Sequence, residues 1–186
     1  MIQDLDETLK ELLIQKMPRA SVDYDIQFDR PNQEWEGKLG LKPTINLFLY
    51  DIRENLVLRN NDRYLTRNGA TGMETVAPIR MDLTYLVTVW AQKVADEHRL
   101  LGEVMKTLLG YPTLPAEVLK GEMANQSLPL RTWVALPDET PKTWDFWGAN
   151  EWRLKPGINY RVTLAVESSP LEVGLVTEKI IQLQQQ

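Results

Sequence analysis

The sequence predicts a single α+β domain, with helices packed on a mixed or mostly antiparallel sheet, and three stretches predict it. Within Pro43 to Arg59, Ile45, Leu47 and Leu49 alternate with Asn46, Phe48, Tyr50 and Ile52, so nearly every position is apolar or aromatic, as in a strand buried on both faces. Residues 79 to 90 repeat the signal, with Ile79, Met81, Leu83, Tyr85, Val87 and Val89 on one face and Arg80, Asp82, Thr84, Leu86, Thr88 and Trp90 on the other. Residues 92 to 109 carry the clearest helical period: Val94, Glu97, Leu101, Val104, Met105 and Leu108 share a face, and Gly110 with Pro112 closes it. The two strands are expected to pair as a long-looped hairpin.

The remaining elements follow in chain order. Ile2, Leu5, Leu9, Leu12 and Leu13 recur at helical spacing over residues 2 to 16, with Asp4, Asp6 and Glu7 in the first turn, where the helix dipole favours negative charge, and Pro18 ends the helix. Residues 22 to 29 set Val22, Tyr24, Ile26 and Phe28 against Asp23, Asp25, Gln27 and Asp29, a strand with one buried and one wet, acidic face at a sheet edge or rim. Residues 30 to 42 read as a loop tacked down by Trp35. The first long strand ends in the charged run Asp51, Arg53, Glu54, Asn55 and Arg59, and residues 54 to 77, rich in Asn, Arg, Gly and Thr, read as a long loop. A helical turn is expected at Ala116 to Leu119 after Pro115, a strand over 128 to 136, an aromatic helix or turn over Thr143 to Ala149, and a half-buried strand over 158 to 166. Pro170 then separates an apolar-tinged extended tail, so the expected division is a domain over 1–170 and a tail over 171–186.

Composition bounds the chemistry. At 186 residues the chain can bury ~70% of the surface its unfolded form exposes. It contains no cysteine and one histidine, which removes disulfides, thiolate metal sites and cysteine nucleophiles and leaves zinc chemistry and a Ser-His-Asp triad short of parts. A net charge of −5 without a basic stripe argues against nucleic acid as a partner. No run of about 18 apolar residues offers a membrane span, and the acidic N-terminus is unlike a signal peptide, so the chain is expected to be cytoplasmic, without direct membrane insertion.

Three constellations invite a functional reading. Asp96, Glu97 and His98 are consecutive, so a helix splays them about 100° apart and they cannot converge on one ion unaided; with Arg99 they read as a solvated or interface-facing charge run. Asp51 and Arg53 fall on one face of a strand end and are expected to pair with each other, while Glu54 beside them leaves open a small carboxylate-dependent hydrolase. Gly69-Ala-Thr-Gly72 lacks the lysine and length of a phosphate loop. Trp144, Trp147 and Trp152 cluster around Gly148 and fit either a loop anchor or an aromatic platform for carbohydrate.

The run Pro43-Thr44-Ile45-Asn46-Leu47-Phe48-Leu49-Tyr50-Asp51-Ile52-Arg53-Glu54-Asn55 with Leu58-Arg59 is followed by Met81 to Ala91, Asp96 to Gly102, Leu114-Pro115, Trp144 to Gly148 and Pro156 to Thr163. In that order these blocks resemble the cap, or tail-terminator, proteins of phage-tail-like contractile injection systems, specifically their N-terminal domain. The resemblance implies a structural protein with no reaction, no catalytic or metal-binding residues and no cofactor. Its implied partners are further copies of itself in a homohexameric ring, the tail sheath protein, and the inner tube or a tube-terminating protein, at the end away from the baseplate. A ring subunit needs two different patches, expected at Asp51, Arg53, Glu54, Asn55 and Arg59 and at Asp96, Glu97, His98 and Arg99. The tail, with Val173, Leu175, Thr177, Ile181 and Leu183 on one side, is expected to add itself to a neighbour or the sheath rather than close its own sheet.

Overall fold

The computed structural model describes residues 1–18, 23–68, 71–136 and 155–174. Five strands form the central sheet in the order β1-β2-β5-β7-β6: β1 Asp25–Gln27, β2 Thr44–Glu54, β5 Ile79–Trp90, β6 Arg131–Val134 and β7 Gly157–Val166. Only β1 runs parallel to its neighbour; the other pairs are antiparallel, so the expected class and hairpin both hold, with Thr44 opposite Trp90 and Glu54 opposite Met81. Helices α1 (Ile2–Lys16) and α3 (Val94–Gly110) cover one face of the sheet. Leu5, Leu9, Leu12 and Leu13 of α1 are fully buried there against Ile45, Leu47, Tyr85, Tyr160 and Val162.

Five elements depart from expectation, each for a physical reason. Only residues 25–27 of the acidic strand pair, because β2 offers partners only at Thr44 to Asn46 before the chain peels away, its Asp29 carbonyl held by Asn46 Nδ2 at 3.0 Å; Val22 lies outside the described residues. The loop over 30 to 42 contains a short helix, α2 (Gln33–Lys38), started by Asn32, whose Oδ1 accepts the Trp35 N–H at 2.7 Å. Trp35 does act as its tack: the indole is buried, donates to Gln27 Oε1 at 2.7 Å and meets Trp90 edge-on at 5.3 Å between ring centres. On α3 the buried stripe is Leu100, Val104, Thr107 and Leu108, while Val94 and Met105, expected inside, are exposed. Thr107 can face inward because its hydroxyl is satisfied within the helix by the Glu103 carbonyl at 2.9 Å.

The stretch 54 to 77, expected to be structureless, folds into a 3₁₀ turn at Leu56–Leu58 and a hairpin, β3 (Arg63–Asn68) with β4 (Thr71–Val76). Strand β8 (Leu171–Gly174) adds to β4, making a separate three-stranded sheet. The first four residues of the tail therefore pair within their own chain, against the expectation; residues 175–186 lie outside the described ones, as does the segment holding Trp144, Trp147 and Trp152.

One half-buried contact sets a pH dependence. Tyr85 donates its hydroxyl to Asp6 Oδ1 at 2.7 Å, and burial pushes the Asp6 carboxyl above its ordinary range despite that hydrogen bond. A carboxylate whose pKa is raised on folding contributes stability that is present below its unfolded pKa and lost as pH rises through the folded one. Asp6→Asn keeps an acceptor for Tyr85 and removes the buried charge. The variant is expected to melt above the parent at neutral pH, the gap closing as acid protonates Asp6; a variant that melts lower at pH 7 would refute this reading.

Candidate functional site

The charged tip of β2 is built by a bulge. The β2–β5 register shifts between Leu49, opposite Tyr85, and Asp51, opposite Thr84, leaving Tyr50 as the extra residue. Without it, Asp51 and Arg53 would continue the core-facing row of Ile45, Leu47 and Leu49. With it they turn to the second face, beside Asp82 and Thr84, while Ile52, opposite Leu83, takes the helix-covered side instead of the side alternation gives it. Asp51 and Arg53 pair as expected, Arg53 Nε standing 2.8 Å from the carboxylate, and Arg59 Nε reaches Glu54 at 3.4 Å. Both arginines are more than half exposed, so each pair contributes little to stability.

Asn55 is the joint. Its N–H donates to the Arg80 carbonyl at 2.8 Å, its Nδ2 donates to both carboxylate oxygens of Asp82 at 3.2 and 3.0 Å, and its Oδ1 accepts the Leu58 N–H at 3.0 Å. Asp82 is buried, receives the Thr163 hydroxyl as well, and has Arg161 at 3.6 Å. One side chain thus ties the 3₁₀ turn to a buried polar network across β5 and β7. That turn holds Leu56 at 68% and Val57 at 93% exposure, an apolar knob on a rigid mount. Sequence reasoning missed the knob and Asp82. Their signals are present but quiet: three consecutive apolar residues inside a polar stretch, and an acid within a strand otherwise reading as buried.

An open pocket of about 460 Å³ lies beside the knob, lined among others by Asp51, Arg53, Glu54, Asp82 and Arg161. Its acids are occupied by arginines or by amide and hydroxyl donors, which is ion-pair architecture rather than a pair of carboxylates set for acid and base roles. Among the described residues no group of three or more His, Cys, Asp or Glu is placed to hold a metal ion, and no helix is long and apolar enough to cross a membrane.

The second predicted patch divides. Asp96 and Arg99 form an exposed pair at 3.1 Å, and His98 is exposed beside them. Glu97 instead turns inward, accepting the Ala91 N–H at 3.1 Å and pairing with Lys155, whose ammonium stands 4.3 Å from the centre of the Trp90 ring. It fastens the start of α3 to the end of β5. The two patches are not brought together: Arg53 lies opposite Asp82, whereas α3 follows Trp90, eight residues further along β5, or about 26 Å of extended strand.

A model of the family described as the Pvc16 N-terminal domain matches residues 4–178. The chain is similar to a solved structure of the sheath/tube terminator, in its extended state, of the extracellular contractile injection system PVC, with a TM-score of 0.71 and 22% identity, covering 100% of this chain and 64% of that one. It is also similar to the tube-terminating cap of the anti-feeding prophage, with a TM-score of 0.65 and 22% identity over 99% of this chain and 61% of the other. No curated protein matches. At this identity the likeness is one of fold, and the chain spans less than two thirds of either structure's length.

Proposed function

The chain belongs to the Pvc16 N-terminal domain family, and from that premise we propose that it is a structural cap of a contractile injection particle, ending tube and sheath polymerisation at the end away from the baseplate. The observation that carries this is the fold, shared along essentially the whole chain with two terminators of such particles. It works by assembling as a homohexameric ring whose subunits meet head to tail, and its partners are the sheath and the inner tube or a tube-terminating protein. Two charged patches at opposite ends of one rigid hairpin supply what such a ring needs, because a head-to-tail contact uses a different surface on each side of the subunit and cannot be satisfied within one copy. The protein is made in the cytoplasm and acts as part of the assembled particle.

The test is electron microscopy of particles from cells making Arg53→Glu or Arg59→Glu. Both side chains are exposed, so the fold is expected to survive, while the reversed charge meets its own sign across a contact. Tubes and sheaths of irregular length are the expected result. Uniform particles carrying a folded variant would remove the tip from the interface, and a single copy per particle end would overturn the ring.

A further inference from the structure

The three-stranded sheet of β3, β4 and β8 projects from the tip end of the β2–β5 hairpin, its base closed by the Ala77 N–H on the Asp62 carbonyl at 2.9 Å. Residues 63–67 of β3 are all exposed, and Tyr64, Leu65, Met73 and Leu171 stand in solvent at 38% exposure or more. With β3 exposed along its length and β4 only partly covered, this small sheet has no core of its own. Among the described residues β3 is one of the two outer strands of this sheet, with the four-residue β8 the other, so a row of β3 backbone N–H and C=O groups faces outward. The central sheet ends on its own outer strand, β1, which pairs with β2 at Thr44 to Asn46, the end of β2 remote from the arm by about ten residues or roughly 30 Å.

We propose that β3 of one copy pairs edge to edge with β1 of the next, so that the arm joins the sheets of neighbouring subunits; this rests on the ring proposed above. The faces match. Arg63, Leu65 and Arg67 share one face of β3, where Glu74 is the carboxylate, 3.2 Å from Arg63; Arg67 lies opposite Gly72. On the wet face of β1, Asp23 and Asp25 share one ammonium, Lys42, at 2.9 and 2.7 Å. One edge thus carries two cations and one anion, and the other two anions and one cation. On the opposite faces Tyr64 and Thr66 meet Tyr24, Ile26 and Phe28, already half-buried along the margin of the core. An arm at one end and an acceptor strand at the other give the head-to-tail contact that closes a ring, with backbone hydrogen bonds supplying affinity and the Arg and Asp rows the register.

The chain has no cysteine, so a pair can be introduced cleanly. Particles carrying Leu65→Cys with Asp23→Cys, both at exposed positions, are treated with a short bis-maleimide and run under denaturing conditions. The expected result is a ladder of covalent multimers up to the full ring, while each single-cysteine variant stops at the linked dimer or the monomer. Monomer alone from particles whose ends show a ring by electron microscopy overturns the strand pairing and leaves the ring standing. Particle ends without a ring of copies overturn the underlying reading itself.

Discussion

Asp82→Ala is expected to cost about 3–5 kcal/mol of stability, among the largest losses available to a single substitution here. The carboxylate is buried and is the shared partner of Asn55, Thr163 and Arg161. Deleting it removes the carboxylate beside a guanidinium that is itself only 15% exposed, and takes a shared acceptor from the Asn55 amide and the Thr163 hydroxyl. The loss is expected to extend to the tip, because the Asn55 amide that caps the Leu56–Leu58 turn is oriented by its two bonds to Asp82. Urea denaturation measures the first effect. Faster amide exchange at Leu58 measures the second, and under the proposed capping role the variant should cap particles poorly even where it remains folded. A loss below about 1 kcal/mol would mean that the group behaves as a solvated surface ion pair, and the account of the tip as a rigid mount would fail with it.

Leu9→Ala is the second large effect, expected at about 2–5 kcal/mol. Leu9 is fully buried in the middle of α1, within the cluster that joins both helices to β2, β5 and β7, and truncation leaves a cavity that the sheet beneath is too rigid to fill. Ile14→Ala on the same helix is the control: at 55% exposure its removal should stay within about 0.5 kcal/mol. A loss at Leu9 no larger than at Ile14 would show that packing on the sheet does not hold α1 in place, since alanine is the better helix former at both positions.

Both predictions concern elements of unequal legibility. The Leu9 stripe is readable because four leucines at helical spacing leave no other period to fit. The β2–β5 hairpin is readable because both strands are long and each carries an unbroken alternating apolar row, Ile45, Leu47 and Leu49 in one and Ile79 to Val89 in the other. The arm was not readable: β3 is exposed on both sides and β4 carries Met73 and Val76 on opposite faces, so no contrast between an apolar and a polar face marks them as strands, and their third strand arrives from residue 171. The inward turn of Glu97 depends on Lys155, which lies 58 residues away and leaves no local trace.

By itself the sequence determined the α+β class, the antiparallel hairpin at its centre, the charged end of β2, the Asp51–Arg53 pair and, through residues in a recognisable order, the family. These rest on local periodicity and on composition, which neighbours in the chain are sufficient to express. Only the tertiary structure decided that a bulge at Tyr50 carries the charged pair to the second face, that Asn55 and Asp82 fix an apolar knob beside it, that α3 buries the stripe through Leu100 rather than the one through Met105, and that the arm has an open edge. The reason is common to all four. Each depends on which remote residue stands opposite, and register across a sheet is set by pairing between strands, about which the order of residues along one strand is silent.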